Sequence, residues 1–170
     1  SWGDWGDKGP HTMMEDEHTF TGLVKERYPG LPYFLFGHSM GSFIARDYIT
    51  AYGQELSGVT LCGTTGVFPG LKEGMDMLQA AVDAGKGAES DPNAAGALMG
   101  WMFARCEEEV RYGNEWICSD PFVQYDHAAD PFDAFSRPTS NRAFLYFCQM
   151  IDLITGPAWA EKVPVDLPIY

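Results

Sequence analysis

Basic residues are scarce in this chain. Its 170 residues hold 11 Lys and Arg against 24 Asp and Glu, a formal net charge of −13. Nucleic-acid binding needs Lys and Arg to displace counterions from phosphates, and attraction to anionic lipid needs a polybasic patch, so this balance supports neither. Long apolar runs are missing as well. None approaches the ~20 residues that a membrane-spanning helix requires. Cysteine is limited to Cys62, Cys106, Cys118 and Cys148, with no C-x-x-C pair. That removes the usual zinc and thioredoxin-type signatures, and neither a metal nor a cofactor is expected. Four reduced, mostly buried thiols suit a reducing compartment, so the expected location is cytoplasmic. No secretory leader is visible, although the sequence opens at Ser1 without an initiator Met, which leaves a leader further upstream open. Internal repeats and low-complexity tracts are absent, and nothing sets an oligomeric state.

What is present is the material of a packed core, with 45% hydrophobic and 14% aromatic residues. The length suits about one domain. The opening "SWGDWGDKGPH" reads as loop. Thr12 and Glu15 then have the spacing of a capping box, introducing a helix to about Tyr28. In that helix Phe20, Leu23, Val24 and Tyr28 form one apolar stripe, and Pro29-Gly30 stops it. Tyr33 to Phe36 is a short, continuously apolar run of the kind buried on both faces of a parallel sheet. A helix from about Met40 to Tyr52 follows, closed by Gly53 at a C′ position, and Val59 to Cys62 supplies a second buried strand. Helix, strand, helix, strand is the rhythm of a doubly wound α/β fold, with parallel strands joined by a crossover helix.

From Gly66 onward the rhythm stops. Residues 71–84, 92–105 and 141–154 read as helices, the last behind a Thr139/Ser140 cap with Phe144, Phe147, Cys148, Ile151 and Ile154 along one stripe. The tail "VPVDLPIY" reads as a loop entering a new strand. The expected organisation is therefore an α/β core with a partial parallel sheet over residues 1–66, a helical insertion over 67–163, and the start of the next core strand at 164–170.

The chemistry concentrates at Gly37-His38-Ser39-Met40-Gly41, a G-x-S-x-G run placed where strand becomes helix. A serine attacks only if its Oγ stands clear of the sheet, and a one-residue turn does that by forcing the residue into strained backbone. Strand and helix crowd around such a turn, so Gly37 and Gly41 are expected to be there because a Cβ would collide. The new helix points its free N–H groups at the site, and the Met40 N–H is placed to hold a developing oxyanion. Metal ligands are not part of this site.

"FLFGHSMGSFIARDYI" resembles the elbow of α/β-hydrolases of the monoacylglycerol lipase and lysophospholipase type, the serine-aminopeptidase-like group. "LSGVTLCGTTG" resembles the strand and small-residue loop that follow there. The long helical insertion resembles the group's cap, while "WICSD" and "VPVDLPIY" resemble its cap and cap-exit segments. The resemblance implies that Ser39 is the nucleophile and that Met40 supplies one oxyanion-hole N–H. It implies a small-molecule or lipid ester substrate. It also implies that the second oxyanion donor, the acid and the histidine of the triad lie outside these residues, so that the chain is an internal fragment of a longer hydrolase and inactive by itself.

The other candidates have plainer readings. His38, beside Ser39 on a sharp turn, points elsewhere than its neighbour and is expected to be a packed, hydrogen-bonded ring; His11 and His18 are expected to be structural or solvent-facing, and His127 to serve a local turn. Asp130, Asp133 and the run Glu107-Glu108-Glu109 suit turns and a solvated face better than a metal or acid pair. Met75, Met77, Met99, Trp101, Met102 and Phe103 suit a core, with an acyl pocket as their alternative use. Two functional classes stand: a serine hydrolase of monoacylglycerol or lysophospholipid-like acyl esters, and a catalytically incompetent hydrolase-like module binding a ligand or partner through its cap. Thioesterase, peptidase and acyltransferase chemistry stay open, because a fold and its elbow are shared among them.

Overall fold

A computed structural model of the protein describes residues 3–66, 68–104, 106, 109–132 and 138–170, apart from the side chains of Ala95, Met99 and Phe103. The elements run α1 (Thr12–Arg27), β1 (Phe34–His38), α2 (Met40–Tyr52), β2 (Gly58–Cys62), α3 (Leu71–Ala81), α4 (Pro92–Phe103), α5 (Pro121–Ala129), α6 (Asn141–Leu153) and α7 (Pro157–Ala160). The chain divides into two compact units, one of residues 5–68 and 145–170, the other of 1–4 and 69–144.

In the first unit β1 and β2 pair in parallel, Phe34 opposite Gly58 through His38 opposite Cys62. The tail pairs along the other side of β2. The Val59 N–H donates to the Pro168 carbonyl at 2.9 Å, the Tyr170 N–H to Val59 at 3.0 Å, and the Leu61 N–H to Tyr170 at 2.9 Å. The expected strand at "LPIY" is this parallel partner. Side chains alternate across a strand, so Leu35, Val59 and Leu61 share one face, where Ala45 and Ile49 of α2 pack on them with Leu56, Trp159, Val163 and Leu167 around the rim. Burying Ile49, fully enclosed here, contributes about 1.5–3 kcal/mol.

On the opposite face Phe34 and Phe36 are 64% and 65% exposed within the described residues, so the burial expected on both faces of β1 is seen here on one. A continuous apolar run does not by itself say how many faces are covered, and among the described residues α2 packs on the Leu35 face. The stripe on α1 also faces outward: Phe20, Leu23 and Tyr28 are exposed, whereas Met14 and Thr21 are buried. The reason is polar. His18, on the same helical face as Met14 and Thr21, stacks on Tyr52 at 3.5 Å and bonds to Glu55 at 3.1 Å. Those contacts fix the rotation of α1.

Three local expectations are corrected. The capping box does not form: His11 is the N-cap residue, the Thr12 hydroxyl donates back to the Gly9 carbonyl at 2.7 Å, and the Glu15 carboxylate accepts from the Tyr52 hydroxyl. Gly53 is right-handed, with φ −58°, so it is no left-handed cap. It is glycine because of crowding, since a Cβ there would lie 2.9 Å from the Pro164 ring. Of the cysteines Cys148 alone is buried, and Cys62 is exposed.

The second unit has no strand among its described residues. Helix α3 runs on into a wider turn over Val82–Lys86, with Gly85 inside it at φ 79°. It packs against α4 so closely that a Cβ on Gly74 would lie 2.5 Å from Leu98 Cδ2, with Leu78 and Ala94 buried beside it. Helix α5 is absent from the sequence reading, although its start carries a legible signal: the Asp120 carboxylate accepts from the Phe122 N–H at 2.8 Å, with Pro121 in the first turn. Helix α4 opens the same way on Asp91 and Pro92. The expected Ser140 cap is present, its Oγ accepting the Ala143 N–H at 3.2 Å.

Candidate active site

Ser39 lies between the last residue of β1 and the first of α2, with φ 50° and ψ −119°. Among the described residues it is the only non-glycine with positive φ. Such a conformation costs on the order of 1–3 kcal/mol and persists only when the surroundings hold it. Three bonds do so. The Ser39 N–H donates to the Cys62 carbonyl at 2.9 Å, carrying the β1–β2 ladder one residue further. The Ser39 carbonyl accepts the Ser42 N–H at 2.9 Å and the buried Ser42 hydroxyl at 2.6 Å. The backbone is anchored on both sides while the side chain is exposed.

The two glycines of the motif differ. A Cβ on Gly37 would lie 2.4 Å from the Gly41 carbonyl oxygen and 2.8 Å from the Ser42 Cα, so strand and helix approach too closely for a side chain. Gly41 has open space where its Cβ would stand, which corrects the expectation that both are there to avoid collision. Met40 is the first residue of α2. Its N–H belongs to the first turn, where helical N–H groups have no intrahelical acceptor, and no acceptor for it occurs among the described residues.

The four histidines are disposed of separately. His11 Nδ1 meets the buried Asp47 carboxylate at 2.8 Å; burial pushes that carboxyl up, and the histidine partly offsets it. His18 is spent on Tyr52 and Glu55. His127, in the last turn of α5 rather than in a free turn, receives the Asn114 amide on Nδ1 at 3.1 Å. His38 is exposed and has no hydrogen-bond partner among the described residues, contrary to the packed ring expected of it. None of these rings is hydrogen-bonded to Ser39 Oγ.

Two residues beneath the elbow escaped the sequence reading, Ser42 and Arg46. Arg46, 7% exposed, sits in α2 among apolar neighbours. Its guanidinium donates to the Thr65 carbonyl at 2.8 Å, to the Thr64 hydroxyl at 3.4 Å and to the Ile154 carbonyl, and it lies 4.7 Å over the Trp159 ring. The Trp159 Nε1–H returns a bond to the Arg46 carbonyl at 2.8 Å. Burial lowers the Arg46 pKa, and among the described residues no carboxylate pairs with it. An arginine at a core position of an apolar helix is the signal that could have found it.

The remaining candidates fall elsewhere. Asp130 accepts the Phe132 N–H at 2.8 Å, the turn expected of it, and Glu109 is exposed. Met75, Trp101 and Met102 are half-buried and Met77 is 48% exposed. Glu107, Glu108, Asp133 and the side chains of Met99 and Phe103 lie outside the described residues. No cluster of three His, Cys, Asp or Glu that could hold a metal occurs among the described residues, and no described helix is long and apolar enough to cross a membrane.

Comparison with known proteins places this geometry. A thermostable carboxyl esterase from Bacillus coagulans, solved in complex with glycerol, is 53% identical, with a TM-score of 0.94 over 99% of this chain and 54% of its own. A lipase in its open form is 26% identical, with a TM-score of 0.84 over the same shares. The chain thus spans about half the length of these solved proteins. A search of curated proteins returned no match. The family described as "Serine aminopeptidase, S33" matches residues 7–167, nearly the whole chain. The chain therefore belongs to the serine aminopeptidase S33 family of α/β-hydrolases.

Proposed function

We propose that the protein is a serine ester hydrolase in which Ser39 is the nucleophile and the Met40 N–H one donor of the oxyanion hole. The observation that carries the reading is the Ser39 turn, held at positive φ with its side chain exposed at the start of α2. Ser39 Oγ attacks the ester carbonyl carbon, and its proton passes to a histidine base. The tetrahedral oxyanion is held in part by Met40, and the alcohol leaves with the proton returned by the same histidine. Water then releases the acid from the acyl-enzyme. The four histidines here have other contacts or none, so in this reading the base, its acid partner and the second oxyanion donor come from outside the 170 residues.

The substrate in this reading is a monoacylglycerol or lysophospholipid-like acyl ester, taken as a small molecule or lipid. Glycerol, the molecule bound by the Bacillus coagulans esterase, is the alcohol half of a monoacylglycerol. The helical residues, 67–163 in the sequence reading, would serve as the cap that selects the acyl chain. The second reading, a catalytically silent module that binds a ligand, is favoured by one observation: no histidine is bonded to Ser39 among the described residues.

Fluorophosphonate labelling and ester hydrolysis separate the two. The natural full-length protein is expected to label on Ser39, to hydrolyse glycerol monoesters, and to lose about 10⁴-fold or more of that activity in Ser39→Ala. The 170 residues alone are expected to show negligible turnover. Full-length protein that neither labels nor hydrolyses esters would establish the silent module. Turnover of thioesters or peptides in preference would move the substrate class.

A further inference from the structure

The chain leaving β2 is fastened at three points. At its start, the Cys62 carbonyl accepts the Ser39 N–H at 2.9 Å, and Gly63 turns at φ 63°. At its end, Phe68 meets the Phe147 ring edge-on at 6.0 Å, and Phe147 tilts against Phe43 of α2 at 6.1 Å. Between them, Thr64 and Thr65 are held by the Arg46 guanidinium, which also holds the Ile154 carbonyl at the end of α6. A buried cation costs several kcal/mol unless donors and charge are satisfied. Here carbonyl oxygens and an indole face do that work, with Nε left without a partner. Such an arrangement is expensive to build if apolar packing alone were needed.

We propose that Arg46 is a positioning residue for the ester reaction, holding the loop 63–66 as a fixed wall beside Ser39. This rests on the hydrolase reading and extends it. The loop starts from Cys62, whose carbonyl accepts the Ser39 N–H, so movement of the loop reaches the nucleophile through one peptide. A planar guanidinium with several donors spans Thr64, Thr65 and Ile154 together; a lysine ammonium, a point charge on a flexible stem, does not match that fork. The loop wall therefore acts on where the acyl group sits relative to Oγ. A misplacement of about 1 Å there is enough to cost roughly 10²-fold.

The test compares Arg46→Lys, Arg46→Met and Thr64→Val in the natural full-length protein. Hydrogen exchange of the 63–66 amides reads loop order without needing activity, and fluorophosphonate labelling reads Ser39. Arg46→Lys is expected to fold, to expose the loop amides to faster exchange, and to lower kcat more than it raises KM, by about 10- to 100-fold in kcat/KM. Loss is expected to be greatest for long acyl chains. Thr64→Val, which removes the hydroxyl and keeps the fold, is expected to show the same pattern more weakly. Added guanidinium at millimolar concentration should restore part of the kcat lost in Arg46→Met. Variants that fold with wild-type kcat, chain preference and loop exchange would overturn the proposal. Unchanged kinetics with faster loop exchange would also overturn it, reducing Arg46 to a structural residue. Wild-type protein that fails to label would overturn the hydrolase reading instead, with loop exchange still reporting on Arg46.

Discussion

In residues 5–68 and 145–170, the decisive contacts join positions far apart in the chain, as where the Trp159 indole donates to the Arg46 carbonyl 113 residues away. In residues 69–144 the polar anchors are mostly local. Glu115 accepts from the N–H groups of Arg111, Tyr112 and Gly113, Asp91 from Asn93, Asp120 from Phe122, and Asp130 from Phe132. Most of the buried apolar side chains among the described residues belong to the first unit; in the second they are Leu78, Ala94, Leu98 and Ala143. One unit is thus held by apolar layers that close only when distant segments meet, the other by capped helices and carboxylate-pinned turns. The first depends on shape, the second on local polar anchors, and carboxylates with shifted pKa values occur in both.

The comparison can be broken most sharply at Ile49. Ile49→Ala leaves a cavity in the layer between sheet and α2, with an expected loss of about 2–5 kcal/mol in urea unfolding; a loss under about 1 kcal/mol would show that the layer collapses without cost. Gly37→Ala is next. Its Cβ meets backbone rather than a flexible side chain, so an overpacking cost of about 1–3 kcal/mol is expected, together with loss of fluorophosphonate labelling of Ser39 in the full-length protein.

Acid should loosen the Glu115 turn of the second unit. Burial pushes the Glu115 carboxyl up, but the backbone N–H bonds from Tyr112, Arg111 and Gly113 outweigh it and hold the carboxyl at about 2, against an ordinary value of 4.5. A carboxyl depressed on folding contributes stability that is complete above the unfolded value and fades as pH falls toward the folded one. Pepsin cleavage within 111–117 is therefore expected to rise as pH drops from about 4.5 to about 2, and Glu115→Gln should flatten that dependence. Flat cleavage in the wild type would remove Glu115 as the pin. Asp120→Ala is expected to cost about 1 kcal/mol, read as faster exchange confined to the first turn of α5. The smallest effect belongs to Gly41→Ala. With open space around that position, it should leave unfolding free energy within about 1 kcal/mol of wild type, on the stabilising side.

Much of the first unit was legible because its signals are strong and short. The G-x-S-x-G run fixed the sharp turn, α2 begins and ends where its periodicity says, and "LPIY" pairs with β2. The rest depends on tertiary contacts. The apolar stripe on α1 does not say which face turns inward; the aromatic and polar contacts of His18 set that. Helix α5 has no stripe to show it, because its apolar residues Phe122, Val123 and Tyr125 are exposed, and its start signal is the single Asp120-Pro121 pair. Arg46 escaped because charge is usually counted as surface. Its partners, the carbonyls of Thr65 and Ile154, are backbone atoms with no signature in side-chain identity.

The pairing of β2 with residues 168–170 carries a consequence for how the protein is made. Val59 of β2 and its partner Tyr170 are 111 residues apart (170 − 59), which a ribosome adding about 5–20 residues per second takes roughly 6–22 s to cover. Through that interval one edge of β2 has no partner from its own chain, while the helices of residues 69–144, with their local caps, are free to form. Unpaired strand edges are templates for other strands. The nascent protein therefore passes through a stage in which β1 and β2 are made but one edge of β2 is unguarded, and a chaperone that holds that edge would favour pairing with its own tail.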